Sequence, residues 1–165
     1  MSRRRVHQSP SRGFFWIGVH HPKHEVNVGG LWLSASLYGA AGVFTVGMRY
    51  RPQASDTIRT PAHTPLVHFR DVADLVEHLP HCCPLVGVEL DPRAGELGSF
   101  AHPERAAYLL GAEDHGLPAG VRDRCHHLVQ VETALPESLN VATAGAILLH
   151  HRHVNAARRP AAVTA

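Results

Sequence analysis

Short apolar runs alternate with amphipathic segments along most of the chain. Apolar runs bounded by glycine, proline or polar residues predict strands, and they lie at residues 14–19, 41–46, 65–69, 84–90, 107–110 and 127–131. Apolar residues at helical spacing predict helices at 27–39, 71–79 and 138–150, with another between the last two strands. This alternation predicts an α/β fold, a mostly parallel sheet with helices on both faces.

The loops between these elements include two candidates for substrate contact. In residues 47–52, Arg49 and Arg51 flank Tyr50, a pattern that suits phosphate contact and base stacking, although a solvated loop can have the same composition. Residues 53–64 are polar and contain prolines, so they could form a mobile substrate loop. Residues 91–103 are predicted to be loop throughout.

One domain, placed at residues 14–155, lies between two tails. The 165 residues are enough for a single core. Residues 1–13 are a basic tail, expected to be flexible or to touch RNA phosphates, and residues 156–165 are a flexible C-terminal tail. No apolar run approaches the roughly 20 residues of a membrane helix. No long apolar segment follows the basic N-terminus, as it would in a signal peptide.

Charge, cysteine and histidine content give limited information on nucleic-acid binding, cellular location and metal binding. The formal net charge of +2 does not by itself indicate nucleic-acid binding, although 15 histidines would add positive charge as pH falls. Three cysteines, two of them adjacent, suit a reducing cytosol, so a cytoplasmic location is expected. Histidines cluster near residues 20–24 and 150–153 without the pattern of a zinc site, and no metal is expected.

The stretch from residue 107 to residue 150 has the most informative pattern. One strand ends in Gly111-Ala-Glu-Asp-His-Gly116, and the next leads to Ser138-Leu-Asn140 at the start of a helix. The glycines allow the backbone to approach a ligand, and Ser138 or Asn140 can cap the helix. Because carboxyl ends of parallel strands present loops and helix N-termini to ligands, a small-molecule site is predicted here.

These residues closely resemble the signature motifs of the SpoU/TrmH family, RNA 2′-O-ribose methyltransferases of the SPOUT class. The segments GAEDHGL at 111–117 and SLNV at 138–141 match its last two motifs, and Asn27-Val-Gly29 matches the first. The resemblance covers about residues 14–155. It implies a deep trefoil knot in the C-terminal third of the chain and a homodimer with the active site near the subunit interface.

The resemblance also implies a chemistry and a set of residues. The methyl donor would be S-adenosylmethionine (AdoMet), and the acceptor a ribose 2′-hydroxyl of RNA. The implied catalytic residues are Asn27, Glu113, Ser138 and Asn140, with Glu113 acting in positioning or in proton transfer. The implied cofactor-binding residues are Leu110, Gly111, Ala112, Glu113, Gly116, Val131, Thr133, Ser138 and Leu139. The candidate RNA contacts are Arg49, Arg51 and His24.

One position departs from the family pattern. The family has an arginine six residues after the first-motif asparagine, proposed to assist deprotonation of the 2′-hydroxyl, and here that position is Leu33. Leucine can neither accept a proton nor pair with phosphate. Another residue such as Arg49, Arg51 or His24 could replace the arginine, the enzyme could be slow, or the protein could bind RNA without methylating it.

Three functions follow from these observations. The first is a SpoU-type methyltransferase acting on tRNA, which its small size favours, or on rRNA. The second is an RNA-binding module that retains the fold but has little or no methyl transfer because of Leu33. The third is a dinucleotide-dependent α/β enzyme, which is disfavoured because no G-x-G-x-x-G segment follows the first strand.

Overall fold

The computed structural model describes residues 13–51 and 64–158. The predicted N-terminal tail up to residue 12, residues 52–63 of the predicted loops and the chain from residue 159 lie outside the described residues. Residues 53–63 make up nearly all of the predicted substrate loop.

Seven parallel strands form one sheet. They are β1 (Phe15–His20), β2 (Gly42–Val46), β3 (Leu66–Phe69), β4 (Leu85–Val88), β5 (Gly95–Glu96), β6 (Ala106–Leu110) and β7 (His127–Gln130). Their order across the sheet is β3-β2-β1-β6-β4-β7-β5, and every pairing is parallel. Strands β2, β4 and β6 are buried along their full length, as expected of a parallel sheet covered on both faces.

The six predicted strands are all present, with ends shifted by up to two residues. The prediction of loop throughout 91–103 is wrong, because Gly95–Glu96 pairs with β7 as the edge strand β5. A short 3₁₀ helix follows at Leu97–Ser99. Both β5 residues are exposed, so no apolar run marks them in the sequence.

Four α-helices accompany the strands within the described residues. They are α1 (Glu25–Leu37), α2 (Val72–Glu77), α3 (Ala119–Arg122) and α4 (Val141–Arg158). Helices α1 and α4 share a core with one face of the sheet, and α2 shares a second core with the other face. The prediction of helices on both faces is therefore confirmed.

Local signals explain the start of α2 and the end of α1. The Asp71 side chain accepts a hydrogen bond from the Asp74 amide at 2.8 Å and caps α2, as predicted. Helix α1 begins at Glu25, two residues before the predicted start at Asn27. Its chain turns away through Gly39, which has a φ of +77°.

Helix α4 continues to Arg158, beyond the residues at which the C-terminal tail was expected to begin. The Arg152 side chain anchors it. Its guanidinium donates to the carbonyls of Pro103 and Glu104, each at 2.7 Å, and to the Tyr108 hydroxyl at 2.8 Å. It also lies 4.8 Å from the centre of the Phe15 ring. This buried arginine holds α4 against the segment that leads into β6. Burial also raises the pKa of its partner Tyr108 to about 12.

Candidate functional site

A cavity of about 190 Å³ lies where β4, β6 and β7 end and α4 begins. Four carboxylates line it, from Glu89, Glu113, Asp114 and Glu137, and no described lysine or arginine does, so we call it the acidic cavity. Such a lining favours a cationic ligand and disfavours phosphate. Apolar side chains complete it, from Val88, Leu90, Leu110, Val131, Leu139 and Val141.

Eight of the nine residues implied to bind the cofactor line the acidic cavity: Leu110, Gly111, Ala112, Glu113, Gly116, Val131, Ser138 and Leu139. The ninth, Thr133, lies in the exposed segment after β7, where its hydroxyl donates to the Leu135 carbonyl at 2.5 Å. The structure thus brings residues 110–116 together with Val131, Ser138 and Leu139, which lie 15 or more residues later in the sequence.

Two glycines shape the loop that closes this cavity. The Gly116 amide donates to the Ala112 carbonyl at 2.9 Å, which folds the loop back on itself. A Cβ on Gly111 would lie 2.4 Å from the Gly116 carbonyl carbon. Gly116 has a φ of +59°, and a Cβ there would lie 2.4 Å from a carboxylate oxygen of Glu89. Both positions therefore require glycine.

Glu89 is a site residue that the sequence reasoning missed. It directly follows β4, and one carboxylate oxygen accepts from the Leu117 amide at 2.5 Å while the other accepts from the Leu90 amide at 3.0 Å. It therefore holds the end of the glycine loop against β4. Its position at the carboxyl end of a buried parallel strand is the signal that could have identified it.

The three sequence motifs meet beside the acidic cavity in a chain of hydrogen bonds. The Asn140 Oδ1 atom accepts from the Ala142 amide at 2.9 Å and caps α4, so Asn140 rather than Ser138 makes the predicted cap. The Asn140 Nδ2 group donates to Asn27 Oδ1 at 2.9 Å. The Asn27 Nδ2 group in turn donates to Glu113 Oε1. We call Asn140, Asn27 and Glu113 the polar chain.

The polar chain ends in an atom with unused hydrogen-bonding capacity. Glu113 Oε2 is buried and has no hydrogen-bond partner among the described residues. A buried carboxylate oxygen without a donor is costly, and such atoms in folded proteins call for an explanation. A hydroxyl donor from a bound ligand would satisfy it.

A second cavity, of about 420 Å³, lies between the loops that follow β1 and β2. We call it the basic cavity, because Lys23, His24 and Arg49 line it together with the single acidic residue Glu25. Two of the three candidate RNA contacts, His24 and Arg49, are thus in one cavity. The third, Arg51, is exposed at the end of the described segment and is not part of this lining.

The two cavities adjoin at an ion pair. Lys23, in the basic cavity, places its ammonium group 3.0 Å from a carboxylate oxygen of Asp114, in the acidic cavity. The hydrogen bond from Lys23 lowers the pKa of the Asp114 carboxyl below its usual range. Asn27 lies between Val26 and Val28, which line the basic cavity, and it binds Glu113, which lines the acidic cavity. We call the Lys23–Asp114 ion pair and the Asn27–Glu113 hydrogen bond the shared wall.

Leu33, the departure from the family pattern, lines neither cavity. It is half-buried on α1, seven residues after Val26 and four before Leu37, and these spacings place all three on one helix face. Val26 is 75% exposed and Leu37 is 77% exposed. The position of the expected arginine therefore belongs to an apolar surface.

The structure also describes the possible metal ligands, the cysteines and the apolar character of the helices. No group of three or more histidine, cysteine, aspartate or glutamate residues within 13–51 and 64–158 is arranged to hold a metal ion. All three cysteines are free thiols. Among the helices that the structure describes, none has the length and apolar character needed to cross a membrane.

Comparison with known proteins supports one family. The model of the SpoU rRNA Methylase family matches residues 15–150. An uncharacterized tRNA/rRNA methyltransferase from Archaeoglobus fulgidus is 24% identical over 151 residues, which cover 88% of this chain and 66% of that protein.

Solved structures show the same fold. The SpoU methyltransferase AviRb from Streptomyces viridochromogenes, in complex with AdoMet, superposes with a TM-score of 0.77 at 20% identity, over 89% of this chain and 59% of that one. A structure described as giving insight into 2-OH methylation of C/U34 on tRNA superposes with a TM-score of 0.75 at 20% identity, over 90% of this chain and 99% of that one. The chain thus spans about 60% of the AviRb chain but nearly all of the second protein.

Proposed function

This chain belongs to the SpoU rRNA methylase family, and we propose that it transfers a methyl group from AdoMet to a ribose 2′-hydroxyl of RNA. The observation that carries the proposal is the polar chain, which joins the three motifs and ends in the unpartnered Glu113 Oε2 beside the acidic cavity. AviRb, which has the same fold, is described in complex with AdoMet.

The acidic cavity fits AdoMet. The close approach of Gly111 and Gly116 leaves backbone groups to face the adenosine, and Leu139 and Val131 supply apolar surface for the adenine. The carboxylates of the lining complement the positive sulfonium and ammonium groups. When bound, AdoMet supplies an activated methyl group on its sulfonium. The protein has to hold the acceptor in line and assist the loss of its proton.

We assign proton acceptance to Glu113. Asn27 holds Oε1, and Asn140 holds Asn27, so the free Oε2 atom has a fixed direction. A carboxylate within hydrogen-bond reach of a hydroxyl can accept its proton as a general base. Glu113 would thereby perform the task for which Leu33 is unsuited. Ser138 lines the same cavity and would orient the methionine end or the acceptor ribose.

RNA would be bound through the basic side chains on the neighbouring loops. Lys23, His24 and Arg49 line the basic cavity, and Arg51 follows on the same loop as Arg49. Such side chains neutralise phosphates without reading sequence. We favour tRNA over rRNA, because this chain covers 99% of a solved protein whose description names methylation of tRNA.

The remaining family features are proposals of the same kind. A C-terminal trefoil knot is proposed from the family alone, and the hydrogen bonds from Arg152 to the Pro103 and Glu104 carbonyls place α4 against the segment before β6. A homodimer is supported by the exposure of Val26 and Leu37 on the Leu33 face of α1. Free thiols at all three cysteines support a cytoplasmic location.

A second candidate function is RNA binding with little or no methyl transfer, and Leu33 is the observation that favours it. Transfer of labelled methyl from AdoMet to total tRNA and to rRNA, by wild type and Leu33→Arg, separates the two functions. We expect wild type to label RNA, with the label in nucleotides whose 3′ linkage resists alkali. If wild type is silent and Leu33→Arg is active, or if both are silent while AdoMet binds, the enzyme proposal is wrong and the binding module is favoured.

A further inference from the structure

We propose that the basic cavity is the acceptor pocket, which takes one unstacked nucleotide with its base against Tyr50 and Met48 and a phosphate near Arg49 and Lys23. This inference rests on the proposed function, because it assigns the part of the RNA that meets the shared wall.

The two loops that form the cavity are fixed to each other. The His21 amide donates to the Val46 carbonyl at 2.8 Å. Gly47 then turns the chain with a φ of +82°, and a Cβ there would lie 2.2 Å from the His21 ring. His21 itself has a φ of +45°, a left-handed conformation that histidine adopts more readily than most side chains. The cavity is therefore part of the packed structure.

The Tyr50 ring, which packs against Trp32, offers a stacking surface. Tyr50 is half-buried, and its ring meets the Trp32 ring perpendicularly at 6.1 Å between centroids. Trp32 is only 6% exposed, and its indole N–H donates to the Thr64 carbonyl at 2.8 Å. The neighbouring Met48 is 49% exposed and adds polarisable surface. An aromatic ring held in this way can stack on a base of any sequence.

The charges of the cavity match a nucleotide phosphate. Arg49 contributes one permanent positive charge and Lys23 a second, which is paired with Asp114, while Glu25 contributes one negative charge. Arginine binds phosphate through a planar fork of donors, and lysine through a compact charge. The acidic cavity, with four carboxylates in its lining, would repel the same group.

The shared wall connects this pocket to the chemistry. Lys23 of the basic cavity binds Asp114, and Asn27 binds Glu113, with both carboxylates in the lining of the acidic cavity. A nucleotide held in the basic cavity would have its ribose at this wall, where the Glu113 carboxylate can reach a hydroxyl. The methyl donor would approach from the opposite side. The pocket thus places the acceptor between Tyr50 and Glu113.

Tryptophan fluorescence provides a direct test. The sequence has two tryptophans, so a Trp16→Phe variant leaves Trp32, which contacts Tyr50, as the only indole emitter. We would titrate this variant with CMP, UMP, AMP and GMP and with the corresponding nucleosides. The pocket predicts saturable changes in Trp32 emission and an affinity at least fivefold higher for the monophosphates than for the nucleosides.

Substitutions assign these effects to residues. Arg49→Gln should remove the advantage of the phosphate, and Tyr50→Leu should weaken all of the ligands about tenfold, whereas Tyr50→Phe should retain binding. Arg124→Gln is the matched control, because Arg124 is an exposed arginine before the amino end of β7, which is separated from β1 by two strands. Absence of a nucleotide-dependent change, or equal effects of Arg49→Gln and Arg124→Gln, would overturn the proposal.

Methyl transfer measured on the same proteins separates this proposal from the proposed function. If wild type methylates RNA and Arg49→Gln and Tyr50→Leu do so equally well, the acceptor pocket is wrong and the proposed function stands. If wild type binds AdoMet and nucleotides but transfers no methyl group, the proposed function fails, and the pocket is not an acceptor site.

Discussion

The acidic and basic cavities adjoin at one wall but are built by different means. The acidic cavity depends on backbone geometry, with Gly111 and Gly116 packed closely and the loop held by Glu89. The basic cavity depends on side chains, chiefly Arg49, Lys23 and the braced Tyr50. A small cation with many polar atoms suits the first, and a polyanion with exposed bases suits the second.

This difference suggests how the two ligands are kept apart. Four carboxylates in one lining and a net positive lining in the other give each cavity a charge that opposes the ligand of its neighbour. The polar chain lies where they meet, so the reacting atoms would come together only at Glu113. Changes to backbone geometry should therefore affect AdoMet, and changes to the basic side chains should affect RNA.

The largest expected effect comes from Gly116→Ala. Alanine at a φ of +59° is strained by roughly 1 kcal/mol or more, and its Cβ would collide with the Glu89 carboxylate. We expect AdoMet affinity to fall at least 100-fold, measured by isothermal titration. The matched control is Gly39→Ala, which has the same type of strain at a φ of +77° with no atom within 4 Å of the added Cβ. Equal AdoMet affinities of the two variants would show that the close packing of the glycine loop does not determine AdoMet binding.

An intermediate effect is expected for Asn140→Ala. The α4 cap would be lost, which costs about 1 kcal/mol of the free energy of unfolding, and Asn27 would lose the partner that orients it. Methyl transfer should fall by about tenfold or more. Asp71→Ala removes the cap of α2 away from both cavities, so denaturant unfolding should show a similar loss of stability with unchanged transfer. A parallel loss of transfer in both variants would mean that the polar chain has no special role.

The smallest effect is expected for Lys23→Met. Lys23 lowers the pKa of the Asp114 carboxyl. The ion pair therefore contributes to the free energy of unfolding above the unfolded-state pKa of about 3.9. This contribution is lost as the pH falls through the lower folded-state pKa of Asp114. Lys23→Met should raise the Asp114 pKa, observed by NMR titration, and reduce the salt slope of RNA binding by about one. Arg70→Met should raise the pKa of Asp74 without a change in RNA binding. An equal change in salt slope for both would contradict the assignment.

Much of the fold could be predicted from the sequence, because its strands are continuous apolar runs. Strand β5 could not, since Gly95 and Glu96 are both exposed and are ordered by pairing with β7. The position of α4 is likewise fixed by Arg152, whose partners lie almost 50 residues earlier in the chain. Such long-range contacts leave no local periodicity.

The acidic and basic cavities also differ in how far they could be predicted from the sequence. The glycine loop and the Asn140 cap have local signals, so most of the acidic cavity could be predicted with the help of the family motifs. Glu89 was hidden because the apolar run at 84–90 was interpreted as one strand that included it. The basic cavity could not be predicted from the sequence, because it depends on the packing of His21 on Gly47 and of Tyr50 on Trp32. These contacts join segments that carry no recognisable motif.

The role of Glu113 as proton acceptor is tested by single-turnover methyl transfer with Glu113→Gln, with the affinities for AdoMet and RNA measured on the same protein. Glutamine can keep a hydrogen bond to Asn27 but cannot accept the proton of a hydroxyl. We predict that transfer falls at least 100-fold while both affinities stay within about threefold of wild type. A transfer rate close to that of wild type would contradict the central role of Glu113, as would a rate loss explained entirely by weaker AdoMet binding.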